Sequence, residues 1–222
     1  MMDQVLKPAA IKEAAHFRRA IRSYTDQKIS DQDLATILEV GRMSPSSKGI
    51  LDWRIINVKD ASLREDLKPH AWGAQKSLPT ASDFLIFVAR KDVGPDDSLV
   101  RETFRQRPGC DNPEKLGELL ADHRSFLEHD MQIHDRQGIF EWASKQCYLA
   151  FGMMALAASE LGIDSCPIEG LNRSQVDQVL LHHNLINPAI EGAVLMMSLG
   201  YRDHDPKRPQ NRLAMDEFVK TV

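Results

Sequence analysis

The sequence predicts an α+β fold, a sheet layered by helices. Two continuous apolar runs, residues 84–89 (FLIFVA) and 193–199 (AVLMMSL), read as strands buried on both faces. Segments with helical periodicity separate them, so the strands cannot be simple hairpin neighbours. The third observation is residues 139–161, rich in Ala, Leu and Met and apolar nearly all round. A helix of that kind is buried against other helices or against a partner chain.

The elements follow in order. Residues 9–22 read as a helix with Ile11, Ala14, Ala15, Ala20 and Ile21 at its apolar positions. Ser30 caps a second helix with an acidic first turn, Asp31 and Asp33. Its apolar stripe is Leu34, Ile37, Leu38 and Met43. It must stop near Ser44 and Pro45, because the residue before a proline is pushed out of α space. Residues 53–58 (WRIINV) read as a strand, and residues 61–76 as a polar helical stretch. Residues 95–123 are the most charged and least periodic part, with helical pieces such as 112–120 and an Arg-rich patch, RETFRQRPG. A surface excursion is expected there. Residues 163–168 form a short strand carrying Pro167, and Asn172 or Ser174 caps a helix through Leu181. Gly200 closes the last strand. Residues 201–222 are polar and proline-bearing, then briefly amphipathic, and are expected to be extended or to lie on another surface. Four or five strands result.

Composition narrows the function. Hydrophobic residues make up 42% of the 222 and charged residues 27%, an ordinary globular balance with material for a sizeable core. The net charge of −4 supplies no global basic field for nucleic acid. Cys110, Cys147 and Cys166 are far apart and form no CxxC pair, which suits a reducing compartment. The first residues lack a basic-then-apolar leader pattern. No apolar run approaches the ~20 residues that span a bilayer. A cytoplasmic protein without membrane association is expected.

Several motifs carry charge or turn chemistry. In FRRAIRSY, residues 17–24, a helix would place Arg18 and Arg22 on one face, where two guanidiniums repel unless an anion lies between them. A solvated face is the commoner outcome for charge alone. PIEGL, residues 167–171, follows a strand end, and Gly170 permits a tight turn or close approach to a ligand. RPQNRL, residues 208–213, adds Arg208 and Arg212, although basic tails are more often solvated. PSSKGILDW, residues 45–53, is a polar elbow between helix and strand. The histidines lack the spacing of a helical metal pair and no HExxH exists, so no metal is expected. Met153, Met154, Met196 and Met197 read as core packing. Neither GxGxxG nor GxxxxGK[ST] is present. A nucleotide would have to be held by charge gathered from side chains.

Taken together, the segments FRRAIRSY, RMSPSSKGILDW, WASKQCYLAFGMMALAASELGIDSCPIEG and SLGYRDHDPKRPQNRL resemble the nitroreductase family of FMN-dependent NAD(P)H oxidoreductases, in the same order along the chain. The resemblance implies a nitroreductase-like α+β fold, a central, mostly antiparallel sheet flanked by helices in an intertwined homodimer. It implies one domain over residues 1–222. Residues 95–135 would be a variable excursion near the active site, and residues 201–222 an extension wrapping the partner subunit. FMN would sit at the subunit interface, with NADH or NADPH as co-substrate and a small electron-poor acceptor, a nitroaromatic or quinone, reduced in a ping-pong cycle.

Carried over by residue, Arg18, Arg19 and Arg22 would hold the FMN phosphate and ribityl chain, aided by Arg212, with Ala20 serving only through its backbone. Pro45, Ser46 and Ser47 would approach the flavin from the other subunit. Gln75 or Lys76 would sit at the pyrimidine edge, and Lys76 would supply positive charge there. Pro167, Ile168, Glu169 and Gly170 would line the dimethylbenzene and N5 side, with the Gly170 N–H as donor to N5. Phe126 would act as a lid. Three departures stand out: Gly49 replaces the family's loop Asn, Leu51 and Asp52 its Gln-Pro, and Gln210 a phosphate-contacting Lys. A flavin store or redox sensor without efficient turnover is the rival reading. A nucleic-acid binder is disfavoured by the acidic net charge and the lack of aromatics among the basic residues.

Overall fold

The structure, a computed structural model, describes residues 8–222. Residues 1–7, on which the expectation of no leader segment rests in part, lie outside the described residues. The chain runs α1 (Pro8–Phe17), α2 (Asp31–Arg42), β1 (Trp53–Asn57), α3 (Ala61–Leu67), α4 (Ser77–Thr80), β2 (Asp83–Arg90) and α5 (Ser98–Arg105). It continues through α6 (Pro113–Ser125), α7 (Arg136–Glu160), β3 (Asp164–Ile168), α8 (Arg173–His182), β4 (Glu191–Gly200) and α9 (Met215–Phe218).

The four strands form one antiparallel sheet in the order β1-β2-β4-β3. The two apolar runs are its central strands, where neither face meets water. Alternation sorts their side chains into two cores. Leu85, Phe87, Ala89, Leu195, Met197 and Leu199 face one core, shared with α2 and α7. Phe84, Ile86, Val88, Ala193 and Met196 face the other, shared with α3 and α8. The register slips between Phe87 and Val88.

Local signals set most boundaries. The Ser30 hydroxyl accepts from the Asp33 N–H and starts α2. Asn172, rather than Ser174, caps α8 through the Gln175 N–H. Asp135 caps α7 through the Gly138 N–H at 2.7 Å. Along α7, Phe140, Trp142, Ala143, Cys147, Ala150, Met154, Ala155 and Ala158 are buried. Tyr148, Leu149, Met153 and Leu156 are exposed, so one side of this apolar helix has no cover from the described residues.

Three elements differ from the sequence expectation. The first helix stops at Phe17, and residues 18–24 are extended, bridging Ala20 to Ser165 and Tyr24 to Arg202. Arg18 and Arg22 are therefore not a helical pair. The polar stretch 61–76 is helical only to Leu67 and then tightens into short 3-10 turns at Lys68–His70 and Trp72–Ala74. The charged excursion is a packed layer. Val100, Phe104, Cys110, His123 and Leu127 are all buried, and α6 ends in a single π turn, Phe126–Asp130. Among the described residues no helix is long and apolar enough to cross a membrane.

Candidate functional site

The extended segment after α1 owes its shape to contacts from the far end of the chain. Arg202 forms a bidentate ion pair with buried Asp164, Nη2 to Oδ1 at 2.6 Å and Nε to Oδ2 at 2.8 Å. The same guanidinium donates to the Phe17 carbonyl at 3.3 Å and stacks 4.5 Å from the centre of its ring. The buried Tyr24 hydroxyl donates to the Ile21 carbonyl at 2.7 Å and meets the Ser198 hydroxyl at 2.8 Å. Gln210 donates to the Arg18 carbonyl at 2.7 Å and reaches the carbonyls of His16 and Ala15 at the end of α1. These contacts hold residues 17–24 flat against β3, with Ile21 and Tyr24 buried and Ala20 and Arg22 exposed.

A cavity of about 530 Å³ opens on that surface, lined by Arg19, Ala20, Arg22, Lys76, Lys207 and Arg208, together with Ile21, Ser23, His204, Pro206 and Pro209. Its volume lies within the range of cofactor sites. Five of its residues are permanent cations, and no carboxylate among the described residues lines it. None of the five has an ion-pair partner among the described residues, whereas His204 leans on Asp203, which also accepts from Ser23 at 2.6 Å. Arg19 donates to the Arg208 carbonyl, which draws the two ends of the chain together. The Cys166 thiol is pushed up by burial and pulled back by Arg22 and Arg18, so the positive field reaches into β3. Unpaired guanidiniums and ammoniums facing one cavity match a phosphate-bearing ligand.

A second group surrounds the PIEG turn. The Gly73 N–H donates to the Gly170 carbonyl at 2.7 Å, and the Asn172 N–H to the His70 carbonyl at 2.8 Å. A Cβ on Gly170 would lie 2.8 Å from the Gly73 Cα, so the two backbones touch only because both residues are glycine. The Gly170 N–H donates to no carbonyl among the described residues. Pro167 is half-buried, Ile168 is buried and Glu169 is exposed. Glu169 accepts from the Tyr148 hydroxyl of α7 at 2.5 Å. Burial first, and this carboxylate next, push the Tyr148 hydroxyl up to about 12.

The third group is the loop of residues 45–53. Its Ser47 N–H donates to Gln146 of α7 at 3.0 Å, and Arg107 of the excursion donates to the Lys48 carbonyl. Lys48 and Gly49 both have left-handed backbone, φ 55 and φ 66. Only at Gly49 is that free of a Cβ clash. Asp52 is fully buried, and neither carboxylate oxygen has a hydrogen-bond partner among the described residues. Burial pushes its pKa up to about 7, against smaller opposing effects from its own backbone and Arg90. Its carbonyl accepts from the Arg90 N–H at 2.8 Å, which ties the loop end to β2.

Known proteins bear on this arrangement. The nitroreductase family profile matches residues 15–201. A Staphylococcus aureus protein provisionally named an NAD(P)H nitroreductase is 37% identical over 216 residues, 96% of this chain and 95% of its own. The chain belongs to the nitroreductase family. Its fold is shared with Bacillus subtilis ydfN, provisionally named a nitroreductase, at TM-score 0.78 and 22% identity over 96% of this chain and 99% of that one. It is also shared with an Exiguobacterium sibiricum protein described in complex with FMN, at TM-score 0.71 and 20% identity over 96% and 97% of the two chains.

In this nitroreductase chain the residues singled out from sequence fall into the three groups above. Arg19, Ala20, Arg22 and Lys76 line the cation cavity. Gln75 turns away, spending its amide on the carbonyls of Lys68 and Ala71. Gln210 is likewise committed to carbonyls, and Arg212 is exposed on the Asn211 carbonyl. Neither lines the cavity, and nor does Arg18. Pro45, Ser46, Ser47 and Gly49, and the PIEG turn, are not brought into the cavity by a single chain. Ser23 and His204 line it without having been singled out, since nothing in their local sequence marks them.

Proposed function

We propose that this protein is an FMN-dependent NAD(P)H oxidoreductase acting as a homodimer in the cytoplasm. The observation that carries the reading is the cavity with five unpaired cations and no carboxylate. An FMN phosphate is a dianion, and it would offset much of the mutual repulsion of these groups. That relatives carry an NAD(P)H nitroreductase name, and that a protein of the same fold is described with FMN, support the same choice.

When bound, FMN supplies the hydride relay, taking a hydride from NAD(P)H and delivering it to a nitroaromatic, quinone or similar electron-poor acceptor in two half-reactions. The protein's task is binding and electrostatics. Arg19, Arg22, Lys207 and Arg208 would hold the phosphate, with Arg18 adding to the positive field felt at Cys166. Lys76 presents positive charge to the pyrimidine edge, where negative charge grows during reduction. The Gly170 N–H, without a backbone acceptor among the described residues and braced by Gly73, would be the donor to N5. Ser46 and Ser47 reach the cofactor of the second copy, and Phe126 covers the mouth. The exposed apolar side of α7 supplies the dimer contact, and residues 201–222 wrap the partner.

The test is the absorbance spectrum of the purified protein. Flavin bands are expected, bleached by NADH or NADPH under nitrogen and restored by a nitroaromatic or quinone. Bound flavin that neither nucleotide reduces would leave only a store or sensor. Colourless protein that takes up no FMN would sink the reading altogether.

A further inference from the structure

Two cations that meet at the loop, Lys48 and Arg107 of the excursion, are left without a task by this reading. Lys48 occupies left-handed backbone at φ 55, a conformation that costs a residue with a Cβ about 1 kcal/mol and persists only where neighbours hold it. They do: Gln146 holds the Ser47 N–H and Arg107 holds the Lys48 carbonyl. The Lys48 ammonium lies 4.7 Å from the centre of the Phe126 ring. The Arg107 guanidinium stacks 4.3 Å from the centre of Phe104. Between those rings stands His123, edge-on to Phe104 at 5.7 Å and stacked on Phe126 at 6.4 Å. The two cations therefore crown one aromatic wall directly beside Ser46 and Ser47.

Neither cation has a carboxylate within 4 Å among the described residues. Neighbouring arginines of the excursion do: Arg105 pairs with Glu102 at 2.7 Å and Arg124 with Asp96 at 2.7 Å. The wall offers no counter-charge either. Burial holds the His123 ring toward its neutral form, Lys48 and Arg107 push the same way, and the Val93 backbone opposes them. The contact with the Lys48 carbonyl keeps the Arg107 guanidinium within a side-chain length of the Lys48 ammonium, so the two repel unless an anion joins them. A guanidinium and an ammonium above aromatic faces suit an oxyanion attached to a flat ring system.

We propose that Lys48 and Arg107 form an oxyanion subsite at the mouth of the active site, selecting substrates that carry a phosphate or a carboxylate. The subsite rests on the reading above for its place beside the flavin. Two sources share this chemistry: the 2′-phosphate of NADPH and the carboxylate of an aromatic acceptor.

Calorimetric titration of the protein as purified, with its cofactor, tests this without turnover. The ligands are NADP⁺ against NAD⁺, and 4-nitrobenzoate against 4-nitrobenzamide. The anionic member of at least one pair is expected to bind more tightly. Lys48→Met and Arg107→Met should each reduce that preference roughly tenfold, the size of one charge-assisted hydrogen bond, while Lys48→Arg keeps most of it. An effect confined to the first pair assigns the 2′-phosphate, and one confined to the second assigns the acceptor carboxylate. Wild-type protein without an anionic preference, or a Lys48→Met variant with both ratios unchanged, overturns the subsite. Should Arg107→Met fail to fold, Lys48→Met decides alone. Active protein with unmoved ratios removes the subsite and keeps the oxidoreductase. Inactive protein with a Lys48-dependent preference does the reverse.

Discussion

In the cation cavity the carboxylates stand behind the backbone and the cations in front. Asp164 takes Arg202 at 2.6 Å on the inner side, and Arg19, Arg22, Lys76, Lys207 and Arg208 are left facing the opening. In the loop of residues 45–53 the arrangement is inverted. There the unpaired buried charge is a carboxylate, Asp52, and the polar contacts that hold the loop go to its backbone. An unpaired ionisable group has two remedies. A cation next to a cavity can wait for an anionic ligand. A carboxyl sealed in the core has no such recourse and takes up a proton instead. The same chain uses the first remedy at the proposed cofactor site and the second where the loop is anchored.

Breaking the support behind the cavity has the largest expected effect. Arg202→Ala leaves Asp164 buried and unpaired, at a cost of roughly 3–5 kcal/mol in urea unfolding. The same variant should lose FMN, because residues 17–24 are no longer held flat. Retention of both stability and cofactor would show that the ion pair has no part in building the cavity.

Asp52 comes next, with a distinctive sign. Its carboxyl is raised from 3.8 to about 7 in the fold. The native state therefore holds a proton that the unfolded chain has released between about pH 4 and pH 7. This group's effect is absent below pH 4, grows more destabilising up to about pH 7 and is constant above it. Asp52→Asn should stabilise the protein at pH 8 by up to about 4 kcal/mol and flatten the pH profile across that window. A profile identical to wild type would mean that the carboxylate is satisfied in solution.

In front of the cavity, Arg22→Ala should weaken FMN about 100-fold, within the ~1.5–3 kcal/mol range of a charge-assisted contact. Riboflavin, which lacks the phosphate, should be far less affected. Equal losses for both ligands would move Arg22 away from the phosphate. The smallest effect belongs to the loop anchor. Gln146→Leu removes the acceptor of the Ser47 N–H and should cost about 1 kcal/mol, read as a lower melting temperature.

The elements legible in the sequence were those with local causes. The strands β2 and β4 announced themselves as apolar runs, α7 by its composition, and α2 and α8 by their cap residues. The first helix was drawn too long because its end is decided elsewhere. Arg202 and Gln210 take the carbonyls at its terminus from more than 180 residues away. The same distance hid the parts played by Ser23 and His204. Gln75 and Lys76 could not be told apart by sequence; in the fold Gln75 is engaged by the carbonyls of Lys68 and Ala71, and Lys76 lines the cavity. The departure at Asp52 was visible, but its burial under the loop was not.

The order of elements, the apolar faces and the arginine-rich segments are properties of short stretches, and the sequence alone determined them. Periodicity and capping act within a turn or two of helix, or along one strand. The shape of the cavity and the protonation of Asp52 belong to the tertiary structure. Charge acts through space, and its energy depends on which distant side chains and how much water come within a few ångströms. Only the packed chain sets those neighbours, placing Arg202 behind the arginines and, among the described residues, no hydrogen-bond partner at the Asp52 carboxyl.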